Sequence, residues 1–278
     1  MNDGSINGGG TSTPMLFQPL TIRGLTLKNR LVVPPMVHYR ADPGNTCGTF
    51  HVVHLGRYAL GGFGLVFVEA TGVEEIGLIN EHDLGIWNEA QAESFKPLIA
   101  FMKRQGTAIG IQLAHGGRKS SSQTAMQGMG PLTEENLKSG AKIWQPVGPT
   151  AEPVAPGWPT PRQLTTEECR AMVGTWANAA RHAVAAGFDT IEIHTAHGYL
   201  LASFLSPVSN TRNDEYGGDR AGADAVAAGD RRSGAPGNAG LDAAFPAGLV
   251  GRRHQRRLEH GRHRCFCARA ESARRRCD

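Results

Sequence analysis

The hydrophobic positions between residues 16 and 198 follow two different spacings. Short, nearly continuous apolar runs are typical of strands buried on both faces, and they are Arg30–Met36, Leu65–Val73, Ala108–His115 and Asp189–Gly198. Apolar residues at intervals of three and four predict helices, several of them ending in glycine; these segments are Phe50–Gly62, Glu89–Gly106 (despite Pro97) and Leu164–Phe188. The last helix opens with a capping-box pair, Thr165 and Glu168.

Strand and helix alternate along this region. Repeats of this kind predict parallel strands joined by right-handed crossovers. A doubly wound sheet and a (β/α)8 barrel both fit the order, and both place ligand sites at the carboxyl ends of the strands. No Gly-x-Gly-x-x-Gly follows the first strand, which weakens the dinucleotide-binding form of the doubly wound sheet. A segment rich in proline and glycine, 116–163, interrupts the pattern before the last helix.

Polar side chains gather where the predicted strands end, and this predicts a ligand site. They are His38 and Tyr39, Glu69 and Thr71, Gln112 and His115, and His194 and His197. Residues three apart in a strand point to opposite faces, so His194 and His197 share a target only if the chain bends beyond the strand end. A zinc site needs a third ligand, and none lies near this pair in the sequence. A purely structural histidine pair is the remaining alternative.

The alternating pattern stops after Gly218. Residues 219–278 contain no Lys, Ile, Tyr, Trp or Met, and they carry 13 Arg against 7 acidic residues, whereas residues 1–218 carry 16 basic and 18 acidic residues. The overall charge of +4 therefore belongs to this tail. Its composition buries too little apolar surface to offset chain entropy, which predicts a disordered segment. Our hypothesis for the change is a one-base shift of the reading frame around residues 220–223.

The tail also contains sequences that imitate functional sites. The run GRRHQRRLEHGRHR resembles a nucleic-acid patch, and four side chains resemble metal ligands: His260, His263, Cys265 and Cys267. Out-of-frame reading of GC-rich DNA produces such runs without selection. We therefore expect neither a nucleic-acid partner nor a metal.

The remaining composition narrows the class of protein. No run of 18 apolar residues exists, so no membrane partner is expected. The first 14 residues are polar and glycine-rich, and they predict a disordered lead-in and not a signal peptide. A cytoplasmic location follows as the expectation, and the five cysteines form no convincing disulfide framework.

Four motifs in a fixed order resemble the old yellow enzyme (NADH:flavin oxidoreductase) family: LFQPLTIRGLTLKNRLVVPPM, EATGV, GIQLAHGGRK and GFDTIEIHTAHGYLLASFLSPVSNTRNDEYGG. Together they span residues 16–218. The resemblance implies a TIM barrel with FMN at the carboxyl ends of the strands. We therefore expect residues 15–218 to form an incomplete (β/α)8 TIM barrel, with an N-terminal hairpin and about four β/α units.

The resemblance also implies a two-step reaction. NADH or NADPH reduces FMN, and hydride then passes to the β-carbon of a small-molecule enone, an α,β-unsaturated carbonyl compound. The family's loops that hold the FMN phosphate follow later strands, which have no counterpart in the tail. The alternative is therefore a truncated, non-enzymatic chain that does not retain FMN. A homo-oligomer is compatible with a full-length protein.

The resemblance assigns the substrate side of the site to three positions. His194 and His197 would hydrogen-bond the carbonyl oxygen of the substrate and stabilise the enolate that develops there. Tyr199 is a candidate proton donor to the α-carbon, with solvent as its rival. Tyr39 and Tyr199 match aromatic positions over the substrate.

The flavin side of the site rests on the same resemblance. Gln112 would contact the pyrimidine edge of the ring with its amide, and Ala70 is a small residue beside the ring. The main chain at Pro34, Pro35, Met36 and Val37 would lie against it. Relatives carry Cys or Thr at the position of Val37, so a hydrogen bond is absent here. Arg118 and Lys119 could meet a phosphate, but such loop charges are more often solvated, and neither is assigned.

Overall fold

The computed structural model describes residues 13–217. In chain order, its strands are β1 (Leu20–Ile22), β2 (Leu25–Leu27), β3 (Val32–Val33), β4 (Leu65–Gly72), β5 (Ala108–Ala114), β6 (Val147–Gly148), β7 (Arg162–Gln163) and β8 (Thr190–Ile193). Its α-helices are α1 (Thr49–Leu60), α2 (Glu89–Ser94), α3 (Lys96–Arg104), α4 (Glu134–Lys138), α5 (Thr166–Ala186) and α6 (Leu200–Leu205). Single 3₁₀ turns cover Met15–Phe17, Glu75–Gly77, Gly117–Lys119 and Ala125–Gln127.

A parallel sheet in the order β3-β4-β5-β8 organises the described residues. Each strand pairs with its predecessor in this sheet, and the order never reverses. A doubly wound sheet has a reversal of strand order at its ligand site, whereas a barrel adds strands in sequence around a ring. The sheet is thus the first half of a (β/α)8 barrel, as the resemblance predicted.

The register of the sheet shifts once, at the end of β4. Phe67 pairs with Gly110, but Ala70 pairs with Gln112, so an extra residue lies between Val68 and Ala70. This bulge turns Glu69 away from the face that Phe67 occupies and gives that face to Ala70. Gln112 in turn pairs with Glu192 in β8. Three side chains of neighbouring strands therefore lie at one level near the carboxyl edge.

Helices cover the face of the sheet opposite the one that carries Phe67, Ala70 and Gln112. α1 contacts β4, while α3 and α5 contact β5. The strands between them present fully buried side chains, among them Val66, Ile109 and Ile111. α5 starts at the predicted capping box, in which Thr165 Oγ1 accepts from the Glu168 N–H at 3.1 Å, and it ends at Gly187, which has a left-handed φ of 101°.

The β1–β2 hairpin lies at the amino ends of the strands, away from the ligand edge. Lys28 Nζ donates to the main-chain oxygen of Gln105 at 2.9 Å and is 3.0 Å from Thr107 Oγ1, directly before β5. Asn29 Nδ2 donates to the main-chain oxygen of Gly62, in the connection between α1 and β4, at 2.7 Å. The hairpin is therefore held below the sheet by hydrogen bonds to two of its connections.

Three of the predicted elements differ from the structure. The single helix over 89–106 is wrong: the chain forms α2 and α3, interrupted at Phe95, because Pro97 lacks an N–H and its ring collides with the preceding turn. The first strand has only two residues because Pro34 and Pro35 cannot continue the ladder. The last strand ends at Ile193, four residues before His197.

The long segment after β5 is not without structure. It carries two 3₁₀ turns, the helix α4 and the short parallel pair of β6 and β7. Within the described range, none of the helices has the length and apolar character that crossing a bilayer requires. The predicted disordered lead-in, apart from Thr13 and Pro14, and the predicted tail with its frame shift lie outside the described residues, so the domain boundaries stay predictions.

Candidate active site

The carboxyl edge of the sheet bears a small apolar cluster. Ala70, Ile79 and Ala114 are buried there, and Val37 and Tyr199 pack against them. These residues come from the ends of β4 and β5 and from the loops after β3, β4 and β8. Because the carboxyl ends of parallel strands meet at one edge, residues distant in the sequence form one wall. Three of the predicted positions, Val37, Ala70 and Tyr199, therefore belong to this cluster. A fourth, Gln112, lies on the neighbouring strand, paired with Ala70.

His194 follows β8 directly and is only 7% exposed. Its main-chain N–H donates to the Leu113 oxygen at 2.9 Å, which extends the ladder by one bond. Its ring Nδ1 accepts from the Ala196 N–H at 3.2 Å, so the neutral ring carries its proton on Nε2. Burial and the neighbouring His197 lower the pKa of His194 to about 4. The ring is therefore a neutral N–H donor at physiological pH.

His197 reaches His194 through an unusual turn. Its φ is 58° and that of Gly198 is 71°, so two consecutive residues are left-handed. The turn brings His197 Nδ1 to 3.2 Å from His194 Nε2, with the ring planes at 74°. The chain thus bends beyond the strand end, which the shared target of the two histidines required. Left-handed histidines are uncommon and are found where surrounding contacts hold them.

The two tyrosines lie beside the histidine pair. The Tyr199 ring stacks edge-on against His194 with centroids 4.8 Å apart. Burial, together with the charges of Tyr39 and Asp83, raises the pKa of Tyr199 to about 12. Burial and the charge of Asp83 also raise the pKa of Tyr39, although a backbone hydrogen bond from Ala125 opposes this. Both phenols therefore keep their protons at neutral pH.

Gln112 presents its amide on the face opposite the helices. Its Nε2 donates to Glu192 Oε1 at 2.5 Å, and no donor from the described residues reaches its Oε1. An amide in this position can accept one hydrogen bond and offer a second N–H to a planar ligand. The adjoining Ala70 and Ala114 have the smallest side chains that still contribute apolar contact.

The loop after β3 is fixed by a buried carboxylate. Glu69 is 2% exposed, its Oε1 accepts from the His38 N–H at 3.1 Å, and its Oε2 bonds His38 Nδ1. This pairing holds the chain on either side of His38, where Val37 and the left-handed Tyr39 (φ 56°) lie. Pro34 and Met36 are exposed and Pro35 is half-buried at the start of the same loop.

Sequence reasoning missed two buried side chains that fix the loops of the site, and a third that fixes a loop outside it. Glu69 was a strand-end polar residue with no role, although a buried charge always needs a partner. Asp83 is fully buried, and its Oδ2 accepts from the N–H groups of Ile79 and Asn80 at 2.8 and 2.9 Å. Arg212, in the last motif, is 5% exposed. No local pattern marks Asp83 as buried, because it lies in a loop.

Arg212 ties the loop after α6 to the long segment and to α5. Its guanidinium donates to the main-chain oxygens of Pro149 and Leu164 and to both carboxylate oxygens of Asp214. The guanidinium holds the pKa of Asp214 well below its usual range. Asp214 also accepts from Thr166 Oγ1 at 2.6 Å. Part of the motif NTRNDEYGG therefore has a structural role at the start of α5.

The chain is similar to flavin oxidoreductases of known sequence. A sequence profile of the NADH:flavin oxidoreductase / NADH oxidase family matches residues 15–221. The NADPH dehydrogenase of Geobacillus thermodenitrificans is 44% identical over 205 residues, which are 73% of this chain and 54% of that protein. An NADH:flavin oxidoreductase of Gibberella zeae is 41% identical over 210 residues, 73% of this chain and 49% of that protein. The chain spans about half the length of these curated relatives.

Solved structures give the same answer for the fold. Morphinone reductase superposes with a TM-score of 0.68 at 26% identity, covering 85% of this chain and 61% of that chain. The old yellow enzyme homologue of Zymomonas mobilis superposes with a TM-score of 0.66 at 28% identity, covering 83% and 60%. On the profile match, the identities and the barrel half described above, this chain belongs to the NADH:flavin oxidoreductase family of old yellow enzymes.

Proposed function

We propose that this chain forms the flavin-ring and carbonyl-oxygen sides of the active site of an FMN-dependent oxidoreductase. The reaction passes hydride from NADH or NADPH, through FMN, to the alkene of an α,β-unsaturated carbonyl compound. One observation carries the proposal. His194 and His197 lie 3.2 Å apart, beside Tyr199, at the carboxyl edge where barrel enzymes bind their ligands.

The described residues fit the ring of FMN. Ala70 and Ala114, with Val37 packed against this cluster, form an apolar wall of small side chains, and the Gln112 amide has an acceptor free for a ring N–H. The resemblance places the phosphate-holding loops beyond residue 218, outside the described residues. When bound, FMN supplies the hydride transfer between the nicotinamide and the substrate alkene.

The histidine pair acts on the carbonyl oxygen of the substrate. Negative charge develops on this oxygen as the β-carbon receives hydride, and donors fixed in advance stabilise it. His194 offers Nε2–H because Ala196 occupies its other nitrogen. In this structure that N–H faces His197 Nδ1, which accepts it; a substrate oxygen that takes the place of this contact receives the N–H of His194, and His197 adds a second donor in the tautomer that carries its proton on Nδ1. Because His194 stays neutral down to about pH 4, it donates a hydrogen bond without losing the proton.

The tyrosine beside this pair supplies the proton that completes the reduction. Tyr199 keeps its phenolic proton because its pKa is raised to about 12, and its ring lies against His194. The charge of Tyr39 contributes to the raised pKa of Tyr199, which supports a common role for the two phenols. Tyr199 therefore delivers a proton to the α-carbon, with Tyr39 covering the substrate.

The finer assignments follow from this reaction class. We expect a small enone as substrate, either nicotinamide cofactor as reductant, and no nucleic acid or membrane as partner. A cytoplasmic location and a homo-oligomeric full-length protein stay predictions. The alternative, a chain that does not retain FMN, is separated by the experiment below.

The experiment compares FMN with riboflavin as ligands of the purified full chain. Quenching of flavin fluorescence measures each affinity, and NADPH-driven reduction of cyclohexenone measures turnover. Flavin binding with turnover that the His194→Ala variant loses, while keeping its flavin, supports the proposal. Similar affinities for the two flavins would mean that the ring is held without a phosphate site. Binding of neither flavin contradicts the proposal and favours the alternative.

A further inference from the structure

Lys119 lies against the turn that carries His197. It is the last residue of the 3₁₀ turn after β5 and is half-buried. Its Nζ donates to the main-chain oxygen of His197 at 2.6 Å and lies 5.8 Å from the centre of the Tyr199 ring. A Cβ atom placed on Gly198 would be 3.4 Å from both Cε and Nζ of Lys119. The lysine stem therefore runs directly along the turn from His197 to Tyr199.

The turn needs an external support. A left-handed residue other than glycine is strained, because its Cβ lies too close to the following carbonyl oxygen, and His197 is such a residue with φ 58°. Two main-chain bonds hold the far end of the turn: Tyr199 N–H donates to Ala196 at 3.2 Å, and Leu200 N–H donates to His115 at 3.0 Å. Within residues 13–217, Lys119 is the sole donor to the His197 oxygen.

A charged donor suits this task better than a neutral one. Hydrogen bonds from an ammonium group are shorter and about twice as strong as neutral ones, so this bond offsets the strain of the left-handed residue. Burial, followed by the charge of Arg118, lowers the pKa of Lys119, and a more acidic ammonium group is a stronger hydrogen-bond donor. The N–H groups of Gly117 and Leu200 cannot substitute for it, because they donate to His115 Nδ1 and to the His115 main-chain oxygen, each at 3.0 Å.

We propose that Lys119 is a positioning residue for the substrate's oxygen site, which holds the His197 carbonyl so that the left-handed turn keeps the two imidazoles together. The proposal rests on the proposed function for its catalytic meaning. Its structural content, the dependence of the histidine pair on Lys119, does not require flavin. The two can therefore fail separately.

The test uses the full chain with ¹⁵N-labelled histidine and no added ligand. NMR follows the tautomer and titration of His194 and His197 in the wild type, in Lys119→Met, which keeps the stem but removes the donor, and in Lys119→Arg, which keeps a charged donor. Lys138→Met is the control, because Lys138 is exposed on α4. We expect the Met variant to raise the pKa of His194 from about 4 towards 6.5, since a released His197 leaves the ring more hydrated.

The Arg and control variants must keep the wild-type histidine spectrum. Unchanged His194 and His197 resonances in Lys119→Met overturn the proposal. So does a Lys119→Arg variant with a disrupted pair, and this comparison still decides the matter if the Met variant does not fold. In flavin-loaded protein, Lys119→Met should weaken binding of 4-hydroxybenzaldehyde about tenfold, the size of one lost hydrogen bond to a charged group. Absence of flavin binding in the wild type would count against the proposed function alone.

Discussion

His194 Nε2 lies 3.2 Å from His197 Nδ1, although residues three apart in a strand face opposite sides. The contact exists because β8 ends at Ile193 and the chain turns through left-handed backbone at His197 and Gly198. The same turn presents Tyr199 edge-on to His194. The geometry of the site thus depends on the six-residue loop between β8 and α6 and not on the strand itself.

Removing the buried imidazole should weaken binding of a phenolate, which mimics the enolate oxygen. In flavin-loaded chain, His194→Ala is expected to reduce the affinity for 4-hydroxybenzaldehyde by about 10- to 100-fold, because a hydrogen bond to a charged group contributes about 1.5–3 kcal/mol. Titration of the flavin's visible spectrum measures the affinity. His182→Ala, on the outer helix α5, is the control and should bind like the wild type. Equal affinities for His194→Ala and the wild type would remove this residue from the oxygen site.

The buried carboxyl of Asp83, which accepts a hydrogen bond from Ile79 of the apolar cluster, makes stability depend on pH. Burial raises the pKa of Asp83 from 3.8 to about 7, and its Oδ1 is buried with no partner among the described residues. At pH values between 3.8 and about 7, the folded chain therefore keeps the Asp83 proton, whereas the unfolded chain has released it. This contribution is fully present below pH 3.8 and is lost as the pH rises through 7.

We expect Asp83→Asn to remove that loss. The variant should gain stability relative to the wild type as the pH rises from 4 to 8, by at most about 4 kcal/mol, since each pH unit corresponds to about 1.36 kcal/mol. Urea unfolding at several pH values measures the difference in unfolding free energy between the variant and the wild type. His194, whose lowered pKa favours stability at higher pH, contributes equally to both proteins and therefore cancels in this difference. Glu93→Gln is the control at an exposed carboxylate. A wild-type-to-variant difference that does not change with pH would contradict this account.

The sequence predicted the elements that depend on local chemistry. The capping box at Thr165 and Glu168 begins α5, and the left-handed Gly187 ends it, because both signals act within a few residues. The apolar run of β4 was placed within one residue. The site edge followed from the strand order, since parallel strands bring their carboxyl ends together.

What the sequence could not show depends on contacts between distant residues. Strict alternation along β4 would have placed Glu69 on the face of Phe67, but the bulge gives that place to Ala70. The break at Phe95 could have been predicted from the sequence, because Pro97 interrupts a helix. The prediction of one continuous helix gave this proline too little weight. The roles of the site residues themselves stay predictions that rest on resemblance, and the experiments above test them.

The Arg212–Asp214 pair should contribute far more to stability than the neighbouring pair of Arg170 and Glu215. Arg212→Met removes four hydrogen bonds and leaves the Pro149 and Leu164 oxygens without this buried donor. Breaking a buried pair from one side costs about 3–5 kcal/mol. Arg170→Met breaks an ion pair of two exposed side chains, which is screened by water and should leave the unfolding midpoint unchanged within error. Equal changes in the urea midpoint for the two substitutions would show that the hydrogen bonds of Arg212 do not stabilise this loop.

Two glycine-to-alanine substitutions should change stability in opposite directions. Gly110 lies in β5, where a Cβ would fall 2.6 Å from Phe67 Cδ1 and 2.8 Å from Thr190 Cγ2. Because neighbouring strands fix these side chains, Gly110→Ala should destabilise the chain by about 1–3 kcal/mol, as overpacking does elsewhere.

Gly174 lies inside α5 with nothing within 4 Å of its Cβ position. Gly174→Ala should therefore stabilise the chain by about 0.5–1 kcal/mol, because alanine loses less backbone entropy in a helix. Urea midpoints at equal slope report both changes; a neutral Gly110→Ala would mean that the barrel face around Phe67 is loose enough to accept a methyl group.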